Sequence, residues 1–132
     1  MGFAEIEHTA DCAVRIWGED LTSLFVEAAR GMNHLAGAHV GDGARVARSL
    51  AIEASDTEGL LVRFLSDLIF AQESDGVGFD VFDIHVSSHR AAGRLTGARL
   101  ANLARPIKAV TFHDLRVSQS ARGYETQIVF DV

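Results

Sequence analysis

The 132-residue sequence is poor in residues that interrupt a chain, cross-link it or make it basic. Proline occurs once, at Pro106, and cysteine once, at Cys12. A single thiol excludes an intrachain disulfide and a cysteine-built zinc cage. Lysine also occurs once, at Lys108, and the arginines are spread singly. Twelve Lys and Arg stand against eighteen Asp and Glu, a formal charge of −6. No basic stripe of the kind that holds nucleic acid is visible, so direct nucleic-acid binding is not expected. No apolar run approaches the roughly 20 residues of a membrane span. The opening MGFAEIEHTAD lacks the basic and apolar regions of a secretory signal. Ile6 stands where a myristoylation signal needs Ser or Thr. A cytoplasmic protein with no membrane partner is expected.

What is present suits one domain over residues 1–132. Nearly half the chain, 48%, is apolar, enough for a core, and scattered glycines mark no long linker. Leu21, Leu24, Phe25, Ala28, Ala29, Met32 and Leu35 recur at helical spacing, with Asp20 as N-cap and Gly37 at the end. Leu60, Leu61, Phe64, Leu65, Leu68 and Ile69 predict a second helix. Ser55-Asp56-Thr57-Glu58 precedes it as a capping box, and the glycine-bearing stretch from Ser74 to Gly78 ends it. Alternation predicts strands around Val14–Ile16, Leu50–Ala54, Phe82–Val86, Ala109–Val117 and Thr126–Val132, with a weaker one at Leu95–Leu100 interrupted by Gly97. Short polar links at Ser88–Gly93 and Ser118–Gly123 suggest hairpins. This order predicts an α+β fold, two amphipathic helices packed on a largely antiparallel sheet system.

Two fragments could carry chemistry. In His8-Thr9-Ala10-Asp11, a His and an Asp three apart suit acid–base work or metal binding, but on spacing alone a polar turn with Asp11 bonding local N–H groups is the better account. Asp131-Val132 places an acidic side chain beside the α-carboxylate. This is either a solvated tail or, because alternation runs to the last residue, an ordered pair that another acid could complete as a hard-cation site. His85 and His89 are four apart, but along a strand they would lie roughly 13 Å from each other, too far for one zinc ion. The glycine-rich Gly37–Gly43 follows a helix and lacks the Lys-Ser/Thr ending, so it reads as a helix terminus and loop. No GxSxG motif is present, and Cys12 has no nucleophile context.

Five segments, in order, resemble the archease family, accessory proteins of the RtcB-type RNA ligase. EIEHTADCAVRIWG is similar to its N-terminal signature, LTSLFVEAARGM and EGLLVRFLSDLIF to its two helices, PIKAVTFHDLRV to its Ile-Lys-Ala-Val-Thr segment, and IVFDV to its terminus. Cys12 stands where an aliphatic residue is common, and Pro106 where a polar or acidic one is frequent.

The resemblance implies a non-enzymatic activator that promotes guanylylation of the ligase by GTP and so allows multiple turnovers. It implies a metal site of Asp11, Asp131 and Val132, the last through its terminal carboxylate, with no catalytic residues. Lys108 and His8 take partner-contact or supporting roles. The divalent cation expected is Ca²⁺, with Mg²⁺ and Mn²⁺ also suited to oxygen ligands. Two rivals use the same acids. One is a metal-dependent hydrolase of a phosphate-containing substrate, with His8 as its only visible base. The other is a metal-free module whose acids contact partner arginines.

Overall fold

The computed structural model describes residues 1–6 and 12–132. In chain order the elements are β1 (Gly2–Ile6), β2 (Cys12–Gly18), α1 (Leu21–Ala36), β3 (Ala38–Val40), β4 (Val46–Glu53), α2 (Thr57–Phe70), a π-helical turn (Ala71–Asp75), β5 (Val77–Val86), β6 (Arg90–Leu103), β7 (Ala109–Val110), β8 (Ser118–Ser120) and β9 (Gly123–Asp131). The α+β expectation holds, and the strands form two antiparallel sheets.

Both helices start close to where the sequence predicts, the first with its predicted cap. The Asp20 carboxylate accepts the Ser23 N–H at 2.7 Å, and Asp56 accepts that of Gly59 at 2.7 Å. Each satisfies one of the donors a helix start leaves without an intrahelical partner. Gly37 ends α1 in the left-handed conformation, φ 60°, that favours glycine. The capping box expected over Ser55 to Glu58 does not form, because Asp56 and not Ser55 is the cap. Glu58 accepts the backbone N–H of Val117 at 2.9 Å, so this acid ties the helix start to a distant loop. The second helix continues through the π-helical turn and ends at Gly76, φ 64°, within the glycine-bearing stretch expected to stop it.

In the first sheet the order is β1-β2-β9-β7, and β8 also pairs β9. The last strand is therefore interior. It lies against β2 from Cys12↔Phe130 to Gly18↔Tyr124, against β7 at Ala109↔Asp131 and Val110↔Phe130, and against β8 near its start. In the second sheet β6 is the hub, pairing β4, β5 and β3. It runs 14 residues, far longer than the weak strand expected. Gly97 does not weaken it: a Cβ there would overlap the Gly78 carbonyl, so glycine lets β5 pass close where its register shifts between Phe79 and Val81. β1 and β3 are short and were not evident from alternation.

One core joins the sheets. Helix α1 packs on β1, β2 and β9 of one sheet and on β5 of the other, while α2 packs on β4, β6 and β7. Phe25, Phe64 and Phe130 are fully buried within it, with Phe25 and Phe64 at a ring separation of 5.6 Å. Burying such side chains contributes about 1.5–3 kcal/mol each, more than helix propensity supplies. Among the described residues no helix is long and apolar enough to cross a membrane.

Candidate functional site at the end of the last strand

Ile128, Val129 and Phe130 are buried, and Asp131, the last residue of β9, turns its side chain to solvent. Val132 is half-buried and packs against the core. The end of the strand is held from both sides. On one edge Cys12 of β2 stands opposite Phe130. On the other, the Lys108 backbone N–H donates to the Asp131 carbonyl at 2.8 Å, and Thr111 donates to the Val129 carbonyl through both its N–H and its hydroxyl, each at 3.0 Å. Asp131 therefore ends an interior strand, with Val132 one residue beyond it.

Lys108 reaches this place through its backbone. Its neighbour Ile107 is buried, whereas the Lys108 side chain is exposed and makes no ion pair among the described residues. Lys108 also borders a cleft of about 320 Å³ between the π-helical turn and the Leu103–Lys108 segment. Ile69, Leu103 and Ile107 line it together with Gln72 and Glu73.

His8 and Asp11 lie outside the described residues, so their expected roles have no structural counterpart here. Among the described residues no three His, Cys, Asp or Glu side chains gather as a metal centre. His85 lies on β5 and His89 in the turn before β6, not on a helix. His34 packs on Phe3 with ring centroids 5.5 Å apart. The Gly37–Gly43 stretch ends α1 as expected, but holds the short strand β3 where a loop was expected.

The segment after β7 departs from expectation. Instead of a strand from Ala109 to Val117, only Ala109–Val110 pairs. The chain then turns: the Leu115 N–H donates to the Phe112 carbonyl at 3.0 Å, and Asp114 adopts φ 53°, the one positive-φ non-glycine among the described residues. Asp tolerates this conformation better than most residues, and its place in an apparent alternation was the available signal. The turn leaves Phe112 61% exposed, a large apolar side chain presented next to the strand end. The His113 Nε2 lies 3.3 Å from the Asp114 carboxylate. At the far end the Thr126 hydroxyl donates to the Arg116 carbonyl at 2.8 Å.

Resolved shifts in acidity lie away from this end. The Ser23 N–H bond holds the Asp20 carboxyl below its ordinary range, and the Arg45 guanidinium does the same for Asp80.

A model of the Archease protein family matches residues 3–132. The chain is 28% identical to the protein archease of Archaeoglobus fulgidus and 29% identical to that of Methanopyrus kandleri, each over all of both chains. Among solved structures, an archease from Thermotoga maritima described as a possible chaperone superposes with a TM-score of 0.73 at 24% identity, covering 96% of this chain and 94% of that one. A Methanobacterium thermoautotrophicum protein solved in solution gives 0.70 at 22% identity, covering 99% of each. At these identities the two structures speak for the fold.

Proposed function

The chain belongs to the archease family, and from that premise we propose that it activates an RtcB-type RNA ligase through a carboxylate cluster at the end of its last strand. Family membership supports the coarser role of an accessory protein acting on a partner. The finer reading, promotion of the ligase's guanylylation by GTP, rests on the resemblance together with one observation: Asp131 ends an interior strand that is hydrogen-bonded up to its own carbonyl. An acid on such a strand meets a partner without first losing the conformational entropy of a loose tail.

The cluster comprises Asp11, Asp131 and the carboxylate of Val132. Asp11 is one peptide bond from Cys12, whose strand partner Phe130 immediately precedes Asp131. Carboxylates brought together repel, and a cation or protons relieve that repulsion. The donor set is all oxygen, which suits Ca²⁺, Mg²⁺ or Mn²⁺ and not a thiophilic ion. Asp131 and Val132 would supply two ligands, and Asp11 the third. A cation held there would supply positive charge where phosphate charge develops in the ligase's active site. The chain's own task is to hold the acids in place and present them. Its charge of −6 favours docking at a basic, RNA-binding mouth, and the exposed Lys108 and Phe112 stand where partner contacts would form.

A guanylylation assay of the ligase, with and without this protein, tests the reading. Asp11→Ala is expected to abolish the stimulation while leaving the thermal midpoint unchanged. Extending the chain past Val132 is expected to impair it, since the terminal carboxylate becomes an amide. Full stimulation by the Asp11 variant would remove the cluster from the mechanism.

A further inference from the structure

The arginines look scattered along the sequence, but the fold sorts them. Six of them (Arg30, Arg45, Arg48, Arg63, Arg90 and Arg105) lie within ion-pair distance of carboxylates. Of the others, which make no such pair among the described residues, Arg15, Arg116 and Arg122 meet on the outward face of the first sheet. The register explains how. Arg15 stands opposite Gln127 and Trp17 opposite Glu125, on the side of β2 and β9 away from buried Ile16, Thr126 and Ile128. The β8–β9 hairpin then brings Arg122 beside them. Arg15, Trp17, Ser120, Arg122, Tyr124 and Glu125 line a cavity of about 150 Å³. A neighbouring one of about 230 Å³ shares Arg15 and Glu125 and adds Arg116 together with Asp114. The Arg15 guanidinium lies 6.0 Å from the centre of the Trp17 ring.

We propose that this face binds a nucleoside phosphate, free or within a single strand, with Arg15 and Arg122 on the phosphate and Trp17 and Tyr124 against the base. Guanidinium forks match phosphate oxygens, and aromatic rings give any base a stacking surface. Glu125 favours this ligand over an acidic peptide, because a base with an exocyclic amine offers it an N–H donor that the peptide's carboxylates lack. The sequence, with its arginines apart, predicts no nucleic-acid contact; β2 and the β8–β9 hairpin create one. The inference needs no ligase and stands apart from the carboxylate site.

Trp17 is the only tryptophan, so its fluorescence reports stacking directly. The protein is titrated with cytidine monophosphate, uridine monophosphate, an eight-nucleotide single-stranded RNA, inorganic phosphate and a polyglutamate peptide. Saturable quenching by the monophosphates and the RNA is expected, with cytidine ahead of uridine and the preference lost in Glu125→Gln. Quenching by the RNA alone would assign the face to a strand. Arg15→Ala and Arg122→Ala should each weaken binding about tenfold, the scale of one charge-assisted contact. Arg122→Lys should fall between, and Arg63→Ala, on α2, should bind as wild type. Circular dichroism checks that each variant is folded. The proposal is overturned if no nucleotide quenches Trp17, if folded Arg15→Ala and Arg122→Ala bind as wild type, or if phosphate or polyglutamate competes as well as the nucleotides.

Discussion

Truncating Phe130 to alanine tests whether the end of the last strand is held by the core. Its ring is fully buried, and its backbone pairs with Cys12 on one side and Val110 on the other. Removing a buried phenylalanine side chain costs about 3–5 kcal/mol, through lost burial and the cavity left behind. With an unfolding entropy of about 2.1 cal/mol/K per residue, 132 residues give ~0.28 kcal/mol/K, so a loss of ~4 kcal/mol lowers the midpoint by ~14 °C. Leu95→Ala, at a buried position of the other sheet, is the control, with a loss of about 2–5 kcal/mol. Thermal denaturation reads the stability. Calorimetric titration with Ca²⁺, at a temperature where both variants are folded, reads the site. The expected result is destabilisation in both variants and weakened Ca²⁺ binding only in Phe130→Ala. A Phe130→Ala protein within about 1 kcal/mol of wild type would refute the burial argument. Equal Ca²⁺ affinity in the two variants would refute the link between strand packing and site.

Three other outcomes follow from particular contacts. Asp20→Ala should cost about 1 kcal/mol through loss of the α1 cap. Because the folded-state pKa of Asp20 is depressed, its contribution is present above the ordinary aspartate range and is lost as pH falls through the folded value; the difference between Asp20→Ala and wild type in chemical denaturation should vanish toward strong acid. Glu58→Ala should leave the Val117 N–H without its partner and cost about 1–3 kcal/mol, with faster amide exchange at Val117 than in wild type. Gly97→Ala should destabilise far more than a usual exposed-strand substitution, because its Cβ meets backbone and not a movable side chain; urea denaturation checks it.

Where sequence reading succeeded and where it failed follows from the range of the forces involved. Asp20, Asp56 and Gly37 act within a few residues, so both helix starts and the end of α1 were legible. Alternation through Thr126, Ile128 and Phe130 revealed β9 because one face is buried along its length. It could not reveal that β9 is interior, since that depends on β2, far away in the chain, pairing its other edge. The Val110–Phe112–Asp114 alternation misled for a complementary reason: hydrogen bonds from Thr111 to Val129 and within the Phe112–Leu115 turn replace the strand ladder. Gly97 looked like a weakness until the Gly78 backbone was seen against it. Of the expected site, Asp131, Val132 and Lys108 can be followed into the structure, and Lys108 contributes a backbone bond that no side-chain pattern signals. The Arg15–Arg122 face was not legible at all, because it is assembled by cross-strand register and a hairpin.

The most direct measurement is the guanylylation rate of an RtcB-type ligase in the presence of wild-type protein and of Asp131→Asn, a nearly isosteric change at an exposed side chain. The account predicts that the variant folds as wild type and no longer stimulates the ligase. Undiminished stimulation by a folded Asp131→Asn protein would contradict it.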